Sequence, residues 1–398
     1  MGSILDRDNL GAFTRHTHAT LPGAGSGSLA GLTFAAKDLF DIAGHRTGFG
    51  NPDWLRTHEP ATRTAAAVQR VLDAGAEMVG RTHTDEMAWS LFGDNAHYGM
   101  PVNSAAAGRV TGGSSCGSAS AVAGGLVDFA LGSDTGGSVR FPASLCGLYG
   151  MRPTHGRVSL EGACPLAPSF DTVGWFTRDA DLLERVGRVL LQDDAPTLRH
   201  GELLIAADAF EWAGEDASEA LQRAIGAAEK VFGQARAVDI APEGFGVWAE
   251  VFRDLQAAEA WASHGEWVDR VAPSFGPGVK ERFAYARTVD PARVRSARAL
   301  REEVRAGLGA MLEGGAVLIL PTAPCIAPLR GSPQDLLNAL RVRCVALLCG
   351  AGFIGAPQVS LPLGRLEGCP IGISLVAAPG SDTMLLDLAR RIRAPIES

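Results

Sequence analysis

The chain has 398 residues, of which 46% are hydrophobic and 20% charged, and its mean hydropathy is +0.09. This composition excludes a disordered chain and supplies enough apolar material for a large core. The formal net charge of -8 argues against nucleic acid or an anionic membrane surface as the main partner. No wholly apolar run of about 18 residues occurs, so we expect no membrane-spanning segment.

The first half of the chain alternates short apolar runs with Ala-rich runs of helical spacing. After a polar, Gly- and Ser-rich arm at 1–30, the patterns predict the following elements in order: a strand at 32–36, a helix at 62–74, a strand at 76–80, a helix at 118–125 and a strand at 129–132. This alternation favours α/β layers around a mostly buried sheet.

The second half opens with a long stretch of different character. Residues 190–310 are interpreted as amphipathic helices, including 217–232 and 245–262. The elements predicted after them are strands at 316–320, 359–363 and 371–376 and a helix at 383–393. Strands on both sides of the helical stretch favour a single domain over 31–398, with a helical insertion at about 190–310.

The cysteines and the N-terminus bear on the cellular compartment. Seven cysteines are scattered along the chain without a C-x-x-C pair or metal-ligand spacing. The first residues are polar and lack the basic and apolar regions of a signal peptide. We therefore expect a reduced, cytoplasmic setting, no metal and no disulfide framework.

Two glycine-serine segments stand out, TGGSSCGSAS at 111–120 and GSDTGGSVRFPAS at 132–144. Neither has the lysine of a phosphate-binding Walker loop, and neither fits the G-x-G-x-x-G dinucleotide fingerprint. Such loops also build oxyanion holes, because glycine lets backbone N–H groups turn inward beside a nucleophile. An isolated GGS is more often an ordinary tight turn, so Ser138 needs a base before it becomes a candidate.

Lys37 is the candidate base. The nine histidines show no helpful pattern. Lys37 ends an apolar strand, where burial would lower its pKa and leave the amine able to accept a proton. The alternative is a strand-end lysine that points to water and pairs with Asp38 or Asp41.

Taken together, these residues resemble the amidase signature family. Lys37, GGSS at 112–115 and TGGS at 135–138 match its Ser–cis-Ser–Lys triad, and Ser138 follows Ser114 by 24 residues as in that family. The further matching motifs are DEMA (85–88), DNAHYG (94–99), RPTHG (152–156), SFDTVG (169–174), LPTAP (320–324) and GAPQVSLPLG (355–364). Residues 48–65, with DEMAWS and NAHYG, look most like plant-type indole-3-acetamide hydrolases.

The resemblance implies α/β/α layers with a mixed central sheet surrounded by helices, and it implies a role for each matched residue. Ser138 would be the nucleophile, Ser114 would relay protons, and Lys37 would be the base. A cis peptide bond would join Gly113 to Ser114. The implied oxyanion hole consists of the backbone N–H groups of Thr135, Gly136, Gly137 and Ser138. Cys116 departs from the Gly or Ser that is usual in the family, and a cysteine nucleophile is the rival interpretation.

Aromatic residues in the matched segments are candidates for the substrate pocket. They are Trp54, Trp89, Phe92, Phe170 and Trp175. Each could equally be a core residue, because buried aromatic side chains are common. Arg140 could bind a substrate carboxylate or form a structural ion pair with Asp134 or Asp171.

The implied reaction is hydrolysis of a small aryl or apolar primary amide to a carboxylate and ammonia, without a cofactor. The only partner expected is the small-molecule amide, and the sequence is compatible with a homodimer. Three alternatives stay open. They are the catalytic subunit of an amidotransferase complex, a hydrolase of a related hydrazide, ester or urea-type substrate, and a catalytically inactive binding module.

Overall fold

A central sheet runs through the molecule, which a computed structural model describes over residues 3–193 and 200–392. Within these ranges the sheet has ten strands in the order β2-β1-β3-β5-β4-β9-β10-β8-β6-β7. Their bounds are β1 Thr33–Lys37, β2 Glu77–Thr82, β3 Phe129–Asp134, β4 Tyr149–Arg152, β5 Thr172–Thr177, β6 Leu203–Ala206, β7 Arg236–Val238, β8 Val317–Pro321, β9 Gln358–Leu366 and β10 Cys369–Val376.

Helices surround this sheet. Their bounds are α1 Ile4–Arg7, α2 Pro52–Thr57, α3 Ala66–Asp73, α4 Cys116–Ala123, α5 Arg140–Cys146, α6 Ala180–Leu191, α7 Ala207–Ala213, α8 Glu215–Phe232, α9 Phe245–Val271, α10 Val279–Thr288, α11 Pro291–Met311, α12 Gln334–Ile354 and α13 Asp382–Arg391. Strand β1 pairs in parallel with β2 and β3, whereas β4, β5, β9 and β10 pair antiparallel with their neighbours. The predicted α/β fold with a mixed sheet surrounded by helices is confirmed.

All six strands that the sequence predicts are present, with shifted ends. The helix predicted at 62–74 begins only at Ala66, because the backbone N–H groups of Ala65 and Ala66 donate to Asp41 and Glu161 instead. The helix predicted at 383–393 is α13, and residue 393 lies outside the described residues. Strands β4, β5, β6 and β7 were not predicted.

Two of these strands lie in the stretch that the sequence predicts to be helical. β6 and β7 extend the sheet beyond β8 by parallel pairing. β7 has three residues, two of them exposed, so it lacks the apolar run that marks a buried strand. The division into an arm and one domain stays a prediction, but residues 190–310 also contribute to the sheet.

The N-terminal segment packs along strand β2. Phe13 and Leu21 form isolated antiparallel bridges to Thr82 and Met78, both on β2. Phe13 and Leu29 are both buried. This segment therefore covers β2, which is the strand at one edge of the sheet.

In the described part of the chain, one helix is long and apolar enough to cross a membrane, and that helix is α12. The sequence expectation considered only uninterrupted apolar runs, and α12 is interrupted by Arg341 and Arg343. In the fold, 67% of its most apolar window is buried, and it packs against α9 and α11. This burial is typical of a helix in the core of a large domain.

Candidate active site

Lys37 ends β1, between β2 and β3, and its side chain is fully buried. The amine Nζ donates hydrogen bonds to Ser114 Oγ at 2.7 Å and to Ser133 Oγ at 2.8 Å. Asp38, the alternative partner, is instead paired with Arg81 at 3.2 Å. The strand therefore directs the amine toward two buried hydroxyl groups and away from water.

The surroundings of Lys37 change its ionisation. Burial lowers the pKa of the amine to about 8, and the negative charge of nearby groups, chiefly Asp85, opposes this shift. Desolvation is the dominant cause because a buried ammonium loses its hydration. The amine is therefore largely neutral above about pH 8 and can then accept a proton.

Ser114 lies in the first glycine-serine loop, with a cis peptide bond between Gly113 and Ser114. The backbone N–H of Asp85 donates to the Ser114 carbonyl at 3.0 Å. A Cβ atom on Gly113 would collide with the Asp85 carboxylate, so only glycine fits at this position. Asp85 thus helps to hold the loop of Ser114 in place.

Ser138 lies in the turn that follows β3, and Asp134 organises this turn. The Asp134 carboxylate accepts hydrogen bonds from the backbone N–H groups of Gly137, Val139 and Arg140 at 2.9–3.2 Å. The Ser138 carbonyl accepts from the Ser115 N–H at 3.3 Å, which joins this turn to the loop of Ser114. The structure therefore brings the segments of all three predicted catalytic residues together.

The turn also presents backbone donors. Among the residues that the structure describes, the N–H groups of Thr135, Gly136 and Ser138 have no protein acceptor. Gly137 differs, because its N–H donates to Asp134 Oδ1 at 2.9 Å. The Gly137 N–H is therefore already engaged within the protein, and the oxyanion hole stays a prediction.

Arg140 forms the structural ion pair with Asp134 that the sequence left open as the alternative to substrate binding. Its guanidinium is fully buried and lies 2.6 Å from Asp134 Oδ1. The remaining nitrogen, Nη1, donates to the Leu348 carbonyl at 2.7 Å and to Gln358. Burial alone would raise the pKa of Asp134, but Arg140 and then Arg152 hold it well below its usual range.

A cavity of about 590 Å³ lies between α9, α10, α12 and Trp89. Phe252 lines this cavity and also packs against Gly136 in the turn of Ser138. The packing is close, because a Cβ atom added to Gly136 would lie only 2.6 Å from the ring carbon Cζ of Phe252. Lys37 and the two serines do not themselves line it.

Of the predicted aromatic pocket residues, Trp89 alone lines this cavity. Phe92 packs edge-on against Phe141, and Phe170 packs against Phe252 behind the cavity wall. Trp175 is fully buried on β5 and donates to the Leu183 carbonyl. The rings of Phe92, Phe170 and Trp175 fill the protein interior, and their role as substrate contacts stays a prediction.

Trp54 is also a core residue. It lies in a separate aromatic cluster with Phe49, His58, His264 and Trp267. Its ring stacks on His58 at 3.7 Å between centroids. The ring of Trp54 therefore packs against other aromatic rings through both its face and its edges.

Sequence reasoning missed several residues around the centre. They are Ser133, Asp85, Phe252, Arg282 and Arg341. Ser133 could have been found from the parallel pairing of β1 and β3, which aligns Ala36 with Leu131 and brings the end of β1 beside Ser133. The other four follow only from the packing of segments distant in sequence.

Cys116 is buried, and its thiol donates to the His83 carbonyl at 3.5 Å. Burial, followed by the negative charge of Asp85, raises the pKa of this thiol well above its ordinary value. A thiol that stays protonated is a poor nucleophile. The rival interpretation of a cysteine nucleophile therefore has no support from the geometry.

No cluster of three or more His, Cys, Asp or Glu side chains that could hold a metal ion occurs in residues 3–193 and 200–392. The expectation of no metal and no cofactor stays a prediction.

The amidase family profile matches residues 11–230 and 253–386. The chain belongs to the amidase signature family. This amidase is 44% identical to Amidase 1 of Arabidopsis thaliana, over 92% of this chain and 93% of that protein. It is 38% identical to the Translocon at the outer membrane of chloroplasts 64 of Pisum sativum, over 90% of this chain and 65% of that protein.

A solved amidase structure superposes on the fold with a TM-score of 0.82 and 32% sequence identity, covering 92% of this chain and 84% of that one. The family assignment makes this amidase a hydrolase that acts on C–N bonds, with an amide as its substrate. The predicted family, fold class and enzyme class are therefore confirmed.

Proposed function

We propose that this amidase hydrolyses a small primary amide to a carboxylate and ammonia through an acyl-enzyme on Ser138. The observation that carries the proposal is the buried amine of Lys37, 2.7 Å from Ser114 Oγ, with its pKa lowered to about 8. A base near neutrality is what serine needs in order to become a nucleophile.

In the first half-reaction, Ser138 Oγ attacks the amide carbonyl carbon. The proton of Ser138 passes to Ser114 Oγ as the proton of Ser114 passes to the neutral Lys37 amine. The carbonyl oxygen becomes an oxyanion, for which the N–H groups of Thr135, Gly136 and Ser138 are the available donors. One such donor is worth about 100-fold to 1,000-fold in rate.

Collapse of the tetrahedral intermediate breaks the C–N bond. The leaving nitrogen takes a proton from Ser114, which is reprotonated by the Lys37 ammonium, and ammonia departs. Water then attacks the acyl-enzyme, giving its proton to Lys37 through Ser114. The product leaves Ser138 as the carboxylic acid, and Ser138 takes its proton back from Lys37 through Ser114. The acid then gives its remaining proton to the released ammonia or to solvent, so a carboxylate results and the enzyme returns to its starting state.

We assign the cavity of about 590 Å³ to the acyl part of the substrate. Trp89 on its wall supports an acyl group with an aryl or apolar body, because an indole face binds planar apolar groups well. Indole-3-acetamide is one such amide. Esters, hydrazides and urea-type compounds contain the same reactive carbonyl and are the alternative substrates.

The test is ammonia release from a panel of aryl, alkyl and urea-type primary amides, with wild type and Ser138→Ala compared. We expect turnover of at least one amide by wild type and less than about 1% of that rate in a folded Ser138→Ala variant. A matched control is Ser118→Ala, whose hydroxyl bonds to Thr82 and to the Leu131 carbonyl. Retention of activity in Ser138→Ala would exclude Ser138 as the nucleophile.

The inactive binding module is tested separately, since one relative is named as a translocon component. A fluorophosphonate probe should label wild type at Ser138 and fail to label Ser138→Ala. An unlabelled, correctly folded wild type would favour the binding module. Copurification of further subunits would favour the amidotransferase alternative. The cytoplasmic setting and a homodimer are also our proposals.

A further inference from the structure

Two arginine side chains line the cavity without a partner. Arg282 lies on α10 and Arg341 on α12, and they reach the same cavity from different walls. Neither guanidinium forms a hydrogen bond or an ion pair with another residue in the described ranges. The Nε atom of Arg282 is buried and has no hydrogen-bond partner at all. Both side chains are half-buried. Guanidinium groups partly withdrawn from water are normally paired, so these two need an explanation.

The two charges also oppose each other. Burial lowers the pKa of Arg341 to about 10. Burial, followed by the positive charge of Arg341, lowers the pKa of Arg282 well below its ordinary value. Keeping both guanidinium groups charged therefore costs electrostatic free energy, and an anion bound between them would reduce this cost.

The carboxylates whose field reaches Arg282 are hydrogen-bonded elsewhere. Asp85 accepts from the Gly93 N–H, and Glu281 accepts from the Gly278 N–H at the start of its own helix. Glu86, the third of them, accepts hydrogen bonds from Asn51, His97 and Gly276.

One further carboxylate, Glu250, lines the cavity and lies 3.8 Å from Arg293. No carboxylate in the described part of the chain forms an ion pair with either of the two guanidinium groups.

A third arginine on the cavity wall shows the contrast. Arg253 lies 3.3 Å from Asp254 Oδ1 and its guanidinium sits over the ring of Tyr285. Its charge is thus balanced within the protein.

The apolar part of the cavity lies near the same two arginines. Trp89, Phe252 and Val345 line it, and Phe252 contacts Gly136 in the turn of Ser138. Asp85 attracts both arginines and also donates its N–H to the Ser114 carbonyl. An acyl chain could therefore extend from the Ser138 turn along the apolar wall to the two charges.

We propose that Arg282 and Arg341 bind a carboxylate at the far end of the acyl group, so that the substrate is the monoamide of a dicarboxylic acid. This inference rests on the proposed function and names its substrate class. Two planar guanidinium forks can each bind a carboxylate through paired N–H donors. The free carboxylate would thereby select the substrate over a neutral amide of the same size.

The test compares kcat/KM for a series of linear monoamides, succinamate to suberamate, with the neutral alkyl amides of matching length. At the best chain length, wild type should prefer the carboxylated amide by about 100-fold. Arg341→Met and Arg282→Met should each reduce this ratio by about 30-fold or more, and Arg341→Lys should reduce it less. The matched control is Arg343→Met, since Arg343 lies on the same helix but donates to the Trp212 carbonyl.

Hydrolysis of both series at equal rates, with an unchanged ratio in Arg341→Met, would overturn this inference and leave the proposed function standing. Release of ammonia from neither series would contradict the proposed function for these amides. Calorimetric binding of the free dicarboxylates then decides the inference without turnover. Binding that weakens by about 30-fold in Arg341→Met supports the site, whereas equal or absent binding overturns it.

Discussion

The amine of Lys37 lies 2.8 Å from the hydroxyl of Ser133, almost as close as it lies to Ser114. Two buried hydroxyl groups therefore hold one amine in place. Ser114 is in a loop that is hydrogen-bonded to the turn of Ser138, whereas Ser133 is on strand β3, which leads into that turn. Ser114 is thus suited to pass a proton, and Ser133 to orient the amine.

This difference predicts unequal effects of two similar substitutions. Ser114→Ala should lower kcat by about 100-fold to 10,000-fold, because it removes a proton-transfer group. Ser133→Ala should lower kcat by only about tenfold, because it removes one of two hydrogen bonds that orient Lys37. Steady-state kinetics on folded variants measures both. Equal losses would assign the relay to the pair of serines instead of Ser114 alone.

Lys37→Arg should be as damaging as Lys37→Met, with less than about 1% of wild-type kcat in both. Arginine keeps the positive charge but stays protonated, whereas the proposed reaction needs a neutral amine. Thermal unfolding and circular dichroism serve as the folding control. Near-normal activity of the arginine variant would show that Lys37 supplies charge and does not act as a base.

The pH dependence of kcat/KM for a neutral amide should follow the ionisation of Lys37. Burial lowers its pKa to about 8, so activity should rise as pH increases through about 8 and then reach a plateau. Asp85 is the largest influence that opposes this shift, and Asp85→Asn should therefore move the rising limb to lower pH. Asp128→Asn, a half-exposed carboxylate outside the site, is the control.

A rising limb near pH 6.5 would instead point to histidine. If that limb vanished when His97 or His155 was substituted, the lysine assignment would be wrong. In the fold, His97 contacts Glu86 at 2.7 Å and His155 contacts the Pro168 carbonyl at 2.8 Å. Neither contact is to a residue of the predicted triad.

Arg140→Met should lower the free energy of unfolding by about 3–5 kcal/mol, because it removes a buried partner of Asp134. Arg140 and Arg152 lower the pKa of Asp134, so the pair contributes stability above the ordinary carboxyl pKa and loses it as pH falls further. Denaturant unfolding at neutral and acidic pH measures both effects. The variant should show a smaller loss of stability in acid than wild type.

Features that depend on short segments of the chain could be predicted from the residues alone. The apolar runs of β1, β3 and β8 predicted strands, because strands buried on both faces must be continuously apolar. The glycine-serine segments and Lys37 predicted the catalytic candidates, because glycine is needed where the backbone approaches closely. Gly113 against Asp85 is such a position.

The surroundings of each side chain became known only from the folded structure. Trp89 lines the cavity while Trp175 is buried in the interior, although both are apolar aromatic residues in matched segments. The Gly137 N–H is taken by Asp134. Arg140 is neutralised within the protein, whereas Arg282 and Arg341 line one cavity from separate helices and have no partner among the described residues. Burial and pairing arise from contacts between segments far apart in the chain, and local sequence does not encode them.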